Sequence, residues 1–266
     1  MPAQRDGFPS FAPELAESND GFDASHFEDL QSLDARNFWF RSRNQLVQWA
    51  FGQWFRGAVS FLEIGCGTGF VLSGLRERFP ALGLAGSEIF TRGLGFAEKR
   101  LPGVPLFQMD ARKLPFDLEF YVICLFDVLE HIEEDERVIA EVFHATRPGG
   151  GLMLTVPQHR FLWSTVDEHA CHKRRYTRRE LVRKVRGAGF EVLHVTSFVS
   201  LLLPLLILSR WKRNRPGTTF DLLAEYRIGP VANAILEKVL GLERSFIRWG
   251  VSFPLGGSLL LVARRA

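Results

Sequence analysis

The sequence predicts an α/β fold: a doubly wound, mostly parallel sheet of seven strands. A helical cap precedes the sheet, and a helical insertion precedes its last strand. Three observations carry that reading. Short apolar runs alternate with segments of helical spacing from residue 59 to residue 156, the rhythm of βαβ units. The first run ends in a glycine-rich turn, Gly65-Cys66-Gly67-Thr68-Gly69. Two further apolar strands follow, one of them at the end of the chain. The length of 266 residues fits one such domain plus an accessory piece.

Residues 1–24 are expected to be a flexible tail, with Pro2, Gly7, Pro9 and Pro13 among scattered charges. Residues 25–57 are expected to form the cap. There Phe27, Leu30, Leu33, Phe38, Leu46, Val47 and Ala50 recur at amphipathic helical steps. The sheet domain should span residues 58–266. Val59 to Ile64, Leu82 to Ile89, Val104 to Met109, Phe120 to Phe126 and Gly151 to Val156 read as buried strands. Phe70 to Phe79, Thr91 to Arg100 and Asp135 to Thr146 read as the helices between them. Pro80 stops the first helix, and Arg147-Pro148-Gly149-Gly150 stops the third. Thr177 with Glu180 reads as a capping box that starts another helix. Phe190 to Val195 and Ser258 to Ala263 should close the sheet, with the insertion at about 197–250 between them.

Composition removes several classes. Cys66, Cys124 and Cys171 stand far apart without a CxxC pair, so neither a zinc ribbon nor a disulfide framework is expected. A reducing, cytoplasmic setting is the expectation. The net charge of +3 is too small to imply a nucleic-acid partner. The first twenty residues have no apolar core of the secretory kind. The longest apolar run, Phe198 to Ser209, contains Pro204 and falls short of the ~18–20 residues that a membrane span needs. Arg210-Trp211-Lys212-Arg213-Asn214-Arg215 follows at once. An apolar segment beside Trp and basic residues suits an interfacial anchor, hence peripheral membrane contact or a lipid-bearing substrate. The other reading is a helix buried against the sheet or in a dimer interface. The oligomeric state is not legible.

The turn after the first strand is where such folds hold a cofactor, because its backbone must approach the ligand closely. The dinucleotide fingerprint fails, since Phe70 and Leu72 stand where its third glycine belongs. A phosphate-binding loop fails too, since no Lys-Ser/Thr follows the glycines. Glu63, two residues before Gly65, would repel a pyrophosphate but suits an ammonium or sulfonium. Glu88 ends the second strand nineteen residues after Gly69, the offset of a ribose-binding acid. Asp110 follows the third strand and could accept from an adenine amine. Phe126-Asp127-Val128-Leu129-Glu130-His131 follows the fourth.

Glu63-x-Gly65-x-Gly67-x-Gly69, Glu88, Asp110-Ala111 and Asp127-Val128-Leu129-Glu130-His131 together resemble the class I S-adenosylmethionine-dependent methyltransferases. The resemblance covers about residues 25 to 195 plus the last strand. It implies a Rossmann-like fold and S-adenosylmethionine as cofactor, with S-adenosylhomocysteine as product. It places Gly65, Gly67 and Gly69 under the methionine part and Glu63 at its ammonium. It puts Glu88 on the ribose, Ile89 against the adenine, Asp110 and Ala111 at the adenine edge, and Phe126 beside the sulfonium. Relatives often open the fourth strand with Phe-Asp. Here Phe120-Tyr121 stands instead, and a local packing change is expected. The stretch Asn37 to Asn44 resembles a cap that closes over the cofactor, with Arg43 reaching the methionine carboxylate and Trp39 covering the site. Alternatively, Trp39 and Phe40 merely dock the helix.

Methyl transfer needs alignment and exclusion of water, and a hydroxyl acceptor also needs a base. His131 is the candidate, since an ordinary imidazole titrates near pH 6.5. The loop after the fifth strand offers His172, Arg175 and Tyr176 as candidate acceptor contacts, Arg174, Arg175 and Tyr176 suiting a phosphate or carboxylate; the other reading is a solvated basic helix entry. His169, Cys171 and His172 match no common zinc spacing, so no metal is expected. The expected function is methyl transfer to a small-molecule or lipid-linked acceptor, at oxygen. The alternatives are a non-catalytic cofactor-binding or membrane-peripheral interaction protein, and a nicotinamide oxidoreductase, which Glu63 and Phe70 disfavour.

Overall fold

The computed structural model describes residues 2–17, 27–213 and 228–266. Part of the expected tail, the expected helix start at Ser25, and Asn214 and Arg215 of the basic flank lie outside the described residues. In chain order the elements begin with β1 (Ala3–Arg5), β2 (Phe8–Ser10), α1 (Phe27–Asp34), α2 (Phe38–Trp54), β3 (Ser60–Ile64), α3 (Phe70–Arg78), β4 (Gly83–Glu88), α4 (Thr91–Arg100) and β5 (Leu106–Gln108). They continue with β6 (Phe120–Phe126), α5 (Asp135–Ala145), β7 (Thr146–Pro157), α6 (Thr165–His169), α7 (Arg178–Gly187), β8 (Glu191–Phe198), α8 (Leu203–Arg213), α9 (Pro230–Arg248) and β9 (Ser258–Arg264).

These strands form one sheet in the order β1-β2-β5-β4-β3-β6-β7-β9-β8. From β5 across to β7 the pairs are parallel, while β9 runs antiparallel to both β7 and β8. Among the described residues the sheet therefore has nine strands rather than the expected seven. The extra two come from the expected tail. Ala3–Arg5 pairs antiparallel with Phe8–Ser10, and Ser10 then lies parallel to Gln108 at the β5 edge. Gln108 secures the join: its side chain accepts from Ser10 Oγ at 2.6 Å and donates to Ala12 O at 2.8 Å. Strands of three residues, the second with a central Pro9, carry too little alternation to be seen in sequence.

Both sheet faces are covered, which is why the central strands read as unbroken apolar runs. Along β6, Val122, Cys124 and Phe126 pack toward α2, α3 and α9, while Ile123 and Leu125 pack toward α5 and α7. At the start of β6, where Tyr121 follows Phe120, the register with β7 shifts, and Tyr121 N donates to Ser60 Oγ at 2.9 Å.

The insertion is tied into the body through α8 and α9. Glu243 of α9, buried, accepts from the backbone N–H groups of Ser200 and Leu201 at 2.7 and 2.8 Å. Asn233 accepts from Phe38 N at 2.8 Å, so α9 helps cap α2, and Arg41 pairs with Glu237 at 3.0 Å. Arg210 of α8 donates to Ser164 Oγ at 2.7 Å, just before α6. Among the described residues no helix is long and apolar enough to cross a membrane.

Candidate active site

The chain order of the sheet reverses at β3: β4 and β5 lie on one side of it, β6 and β7 on the other. A crevice forms at the carboxyl ends of the strands at such a switch point. Here it is a cavity of about 1210 Å³. Its floor carries the residues that follow β3 to β6, its roof comes from α1 and α2, and one wall comes from α8 and α9.

The glycine loop needs its glycines for two different reasons. Gly65, Gly67 and Gly69 all have left-handed backbone, with φ of +72°, +52° and +74°. A Cβ on Gly65 would stand 2.4 Å from Val128 Cγ2, and one on Gly69 would press on Ala97 of α4. Gly65 and Gly67 line the cavity, whereas Gly69 faces α4 and serves the packing of α3 as its N-cap.

Glu63 projects from β3 to the cavity lining and is buried. Burial raises its pKa to about 8, although Arg43 works in the opposite sense. Its Oε2 has no hydrogen-bond partner among the described residues. A buried carboxylate oxygen without a partner costs ~1–3 kcal/mol or more, and a cationic ligand relieves that cost. Glu88 is differently placed. Its carboxylate accepts from Ile89 N at 2.8 Å and Gly67 N at 3.1 Å, which orients it at the cavity edge, while burial raises its pKa. Ile89, Asp110 and Ala111 line the same end. Asp110 there also pairs with Arg112 at 2.9 Å.

From above, Trp39 and Arg43 of α2 both reach the cavity. Asn37 caps α2 by accepting from Trp39 N at 2.8 Å, which sets where the helix begins. The Arg43 guanidinium lies 4.7 Å over the Trp39 ring and pairs with Asp127. Asp127 itself has φ +57°, an uncommon conformation for a non-glycine residue at the end of β6. Sequence reasoning did not assign Asp127, nor the cavity-lining Leu202, Leu206 and Arg210 of the insertion. The first opened a recognised motif, and the others lay in an apolar run, or in the basic flank beside it, that had two readings.

At the other end, beyond Phe126, lie Glu130, His131, Asp167, His172 and Arg175. Asp167 caps α6 by accepting from Ser164 N at 2.9 Å and binds Arg175 Nε at 2.7 Å and His172 Nδ1 at 2.9 Å. Burial by itself would raise its pKa, but His172 and Arg175 hold it down at about 2. The His131 and His172 rings meet edge to face at 4.8 Å. Burial and the neighbouring His172 push the His131 pKa down to about 3, so His131 is neutral at pH 7 and a weak proton acceptor. The expectation of an ordinary imidazole pKa there is corrected. Burial with Asp127 close by raises the Glu130 carboxyl well above its usual range.

Tyr176 is a second correction. It is fully buried, and its hydroxyl donates to Asp135 at 2.7 Å in the core beneath α5, away from the cavity lining. Asp135 is further held by Arg174 at 3.0 Å and by Lys184 at 2.6 Å. The polar loop that reads as substrate-facing thus turns Arg175 toward the cavity and Tyr176 and Arg174 toward a structural carboxylate.

The methyltransferase-domain sequence profile matches residues 22–195. A probable S-adenosylmethionine-dependent methyltransferase of Mycolicibacterium smegmatis is 27% identical over 167 residues, 61% of this chain and 63% of that protein. A trans-aconitate 2-methyltransferase of Deinococcus radiodurans is 30% identical over 134 residues, 46% of this chain and 50% of that protein. The chain thus spans less than two thirds of these curated relatives. In fold it is similar to the methyltransferase solved in complex with the Haloferax volcanii Trm112 methyltransferase activator, with a TM-score of 0.58, 14% identity, and 91% and 93% of the two chains covered. With a profile that spans more than half of its length, and with the glycine loop and strand-end acids gathered at one cavity, the chain belongs to the methyltransferase-domain family of class I S-adenosylmethionine-dependent methyltransferases.

Proposed function

We propose that this chain transfers a methyl group from S-adenosylmethionine to an oxygen of a small or lipid-linked acceptor. The observation that carries the reading is the convergence of Glu63, Glu88, Asp110 and Phe126, from four successive strand ends, on one cavity. When bound, S-adenosylmethionine supplies an electrophilic methyl on a sulfonium. The residues fit such a ligand. Glu63, with its orphaned Oε2, receives the ammonium, and the Gly65–Gly67 turn lets the backbone approach. Glu88 accepts from the ribose hydroxyls, Ile89 packs on the base, and Asp110 with Ala111 reads its edge. Arg43, whose Nε has no partner among the described residues, faces the carboxylate, and Trp39 closes the roof against water.

The acceptor enters at the end with Phe126 and His172, where Arg175 offers positive charge. A non-catalytic binder would need no lining beyond the cofactor residues, yet Glu130, His131, Asp167, His172 and Arg175 also line the cavity. The wall of Leu202, Leu205, Leu206 and Leu236 supports an acceptor with an apolar part. The test is calorimetry with S-adenosylhomocysteine, followed by an acceptor screen with labelled S-adenosylmethionine. Glu88→Ala should weaken binding at least about tenfold, since each unpaired buried hydroxyl costs ~1–3 kcal/mol. Unchanged affinity in that variant would remove the central assignment.

A further inference from the structure

We propose that Glu130, His131 and His172 form a binding site for a divalent transition-metal cation at the acceptor end of the cavity. Its open coordination positions would take an oxygen donor of the acceptor. The sequence reading expected no metal, because it weighed His172 against its near neighbours His169 and Cys171. The fold instead sets His172 against a pair from the β6 end. One ligand atom from each of Glu130, His131 and His172 lies within 4.8 Å of the others. All three residues line the cavity.

Three features distinguish this cluster from incidental packing. First, Glu130 is 1% exposed, and its Oε2 has no hydrogen-bond partner among the described residues. A cation bound there displaces the carboxyl proton and satisfies the buried oxygen as a carboxylate. Second, the rings of His131 and His172 meet at 4.8 Å, and two imidazoles that close can both turn lone pairs to one ion. Third, His172 Nδ1 is committed to Asp167 at 2.9 Å, and Asp167 is itself fixed by Arg175 and Ser164. That leaves Nε2 as the nitrogen with a lone pair to give. A carboxylate that orients a histidine in this way is the usual support behind a metal-ligating imidazole.

The donor set of two nitrogens and one carboxylate oxygen suits Mn²⁺, Fe²⁺, Co²⁺ or Zn²⁺ rather than Ca²⁺ or Mg²⁺, which prefer oxygen alone. Ligand bonds of ~2.0–2.2 Å require the three atoms to draw together by about 1 Å or more, within reach of side-chain rotation. Three protein ligands beside a cavity leave room for an exogenous oxygen, as in catalytic rather than structural metal sites. A coordinated hydroxyl is more acidic than a free one. The inference thus deepens the proposed methyl transfer to oxygen and rests on that reading for the identity of the acceptor, though not for the metal site itself.

The test uses the untagged full chain, stripped with a chelator and titrated with Co²⁺ alone. The visible absorption of Co²⁺ and equilibrium dialysis report binding. The expected result is one Co²⁺ per chain. Glu130→Gln and His172→Ala should each weaken it at least tenfold, whereas His169→Ala should leave it unchanged. S-adenosylhomocysteine calorimetry on the same variants reports whether they remain folded. No Co²⁺ binding by the wild type, or equal binding by a folded His172→Ala, overturns the site. Co²⁺ binding with no S-adenosylhomocysteine binding by the wild type would instead uphold the metal site and sink the cofactor reading.

Discussion

At the scale of single residues, burial decides what each ionisable group is for. Glu63 is the sharpest case. With a pKa near 8 it carries its proton at pH 7 in the free protein, since the Arg43 charge only partly offsets burial and Glu88 adds to it. An ammonium delivered to Oε2 favours the carboxylate. Binding of S-adenosylhomocysteine at pH 7 should therefore release up to about one proton, and at pH 9 almost none, because the group is already ionised. Calorimetry in two buffers of different ionisation enthalpy measures this. Equal heats in both buffers at pH 7 would separate Glu63 from the ligand. Tyr176 shows the opposite use of burial, a polar side chain spent on the core. Tyr176→Phe should lower unfolding stability by about 1–2 kcal/mol through loss of the hydrogen bond to Asp135. Urea denaturation checks it, and an unchanged midpoint would mean that the hydroxyl does not brace α5.

At the scale of elements, the proposed function has the β3–α3 turn and the α2 helix divide the work of holding the ligand. The turn brings backbone close, and the helix brings Trp39 and Arg43 down from above. Gly67 is the informative position. A Cβ there meets nothing nearer than Phe27 at 3.7 Å, so the fold has room for it, but its φ of +52° and its place on the cavity do not suit a branched side chain. Gly67→Val should leave the chain folded, with a melting temperature lowered by the strained backbone, while abolishing S-adenosylhomocysteine binding. Normal binding in that variant would show that the turn is not the cradle. Gly65→Val is the poorer probe, because the Val128 contact at 2.4 Å threatens the fold itself.

For the whole molecule, the insertion links the cavity to an exposed apolar face. Leu202, just before α8, and Leu206 line the cavity, Leu205 lines its rim, and Ile207, Leu208 and Trp211 are 44–60% exposed. Val231 and Ile235 near the start of α9 are exposed as well. The two readings of the Phe198–Ser209 run are therefore not exclusive: one side of the helix packs and the other faces out. If that outer face meets a lipid surface, the chain should sediment with anionic vesicles and be released by salt, each nearby Lys or Arg contributing about 1 kcal/mol. Leu208→Asp should weaken sedimentation without moving the melting temperature. Leu202→Asp, at a buried position, should unfold the protein instead. Absence of vesicle binding by the wild type would leave the lipid-linked acceptor without its main support.

The sequence by itself determined the parts whose physics is local. Alternating apolar runs mark strands that are buried on both faces, and glycines with positive φ mark a turn that a side chain would block. Acids at fixed offsets from strand ends arrive at the sheet edge because each strand delivers its own terminus there. Glu63, Glu88 and Asp110 were legible for that reason. Only the tertiary structure decided what depends on distant segments meeting. The β1–β2 hairpin joins the sheet through Gln108, and Tyr176 turns inward because Asp135 waits there with Lys184 and Arg174. His131 loses its ordinary basicity through burial that no local pattern encodes. His172 finds Glu130 and His131 across the cavity because the loop after β7 folds back over the end of β6, a juxtaposition set by packing rather than by spacing.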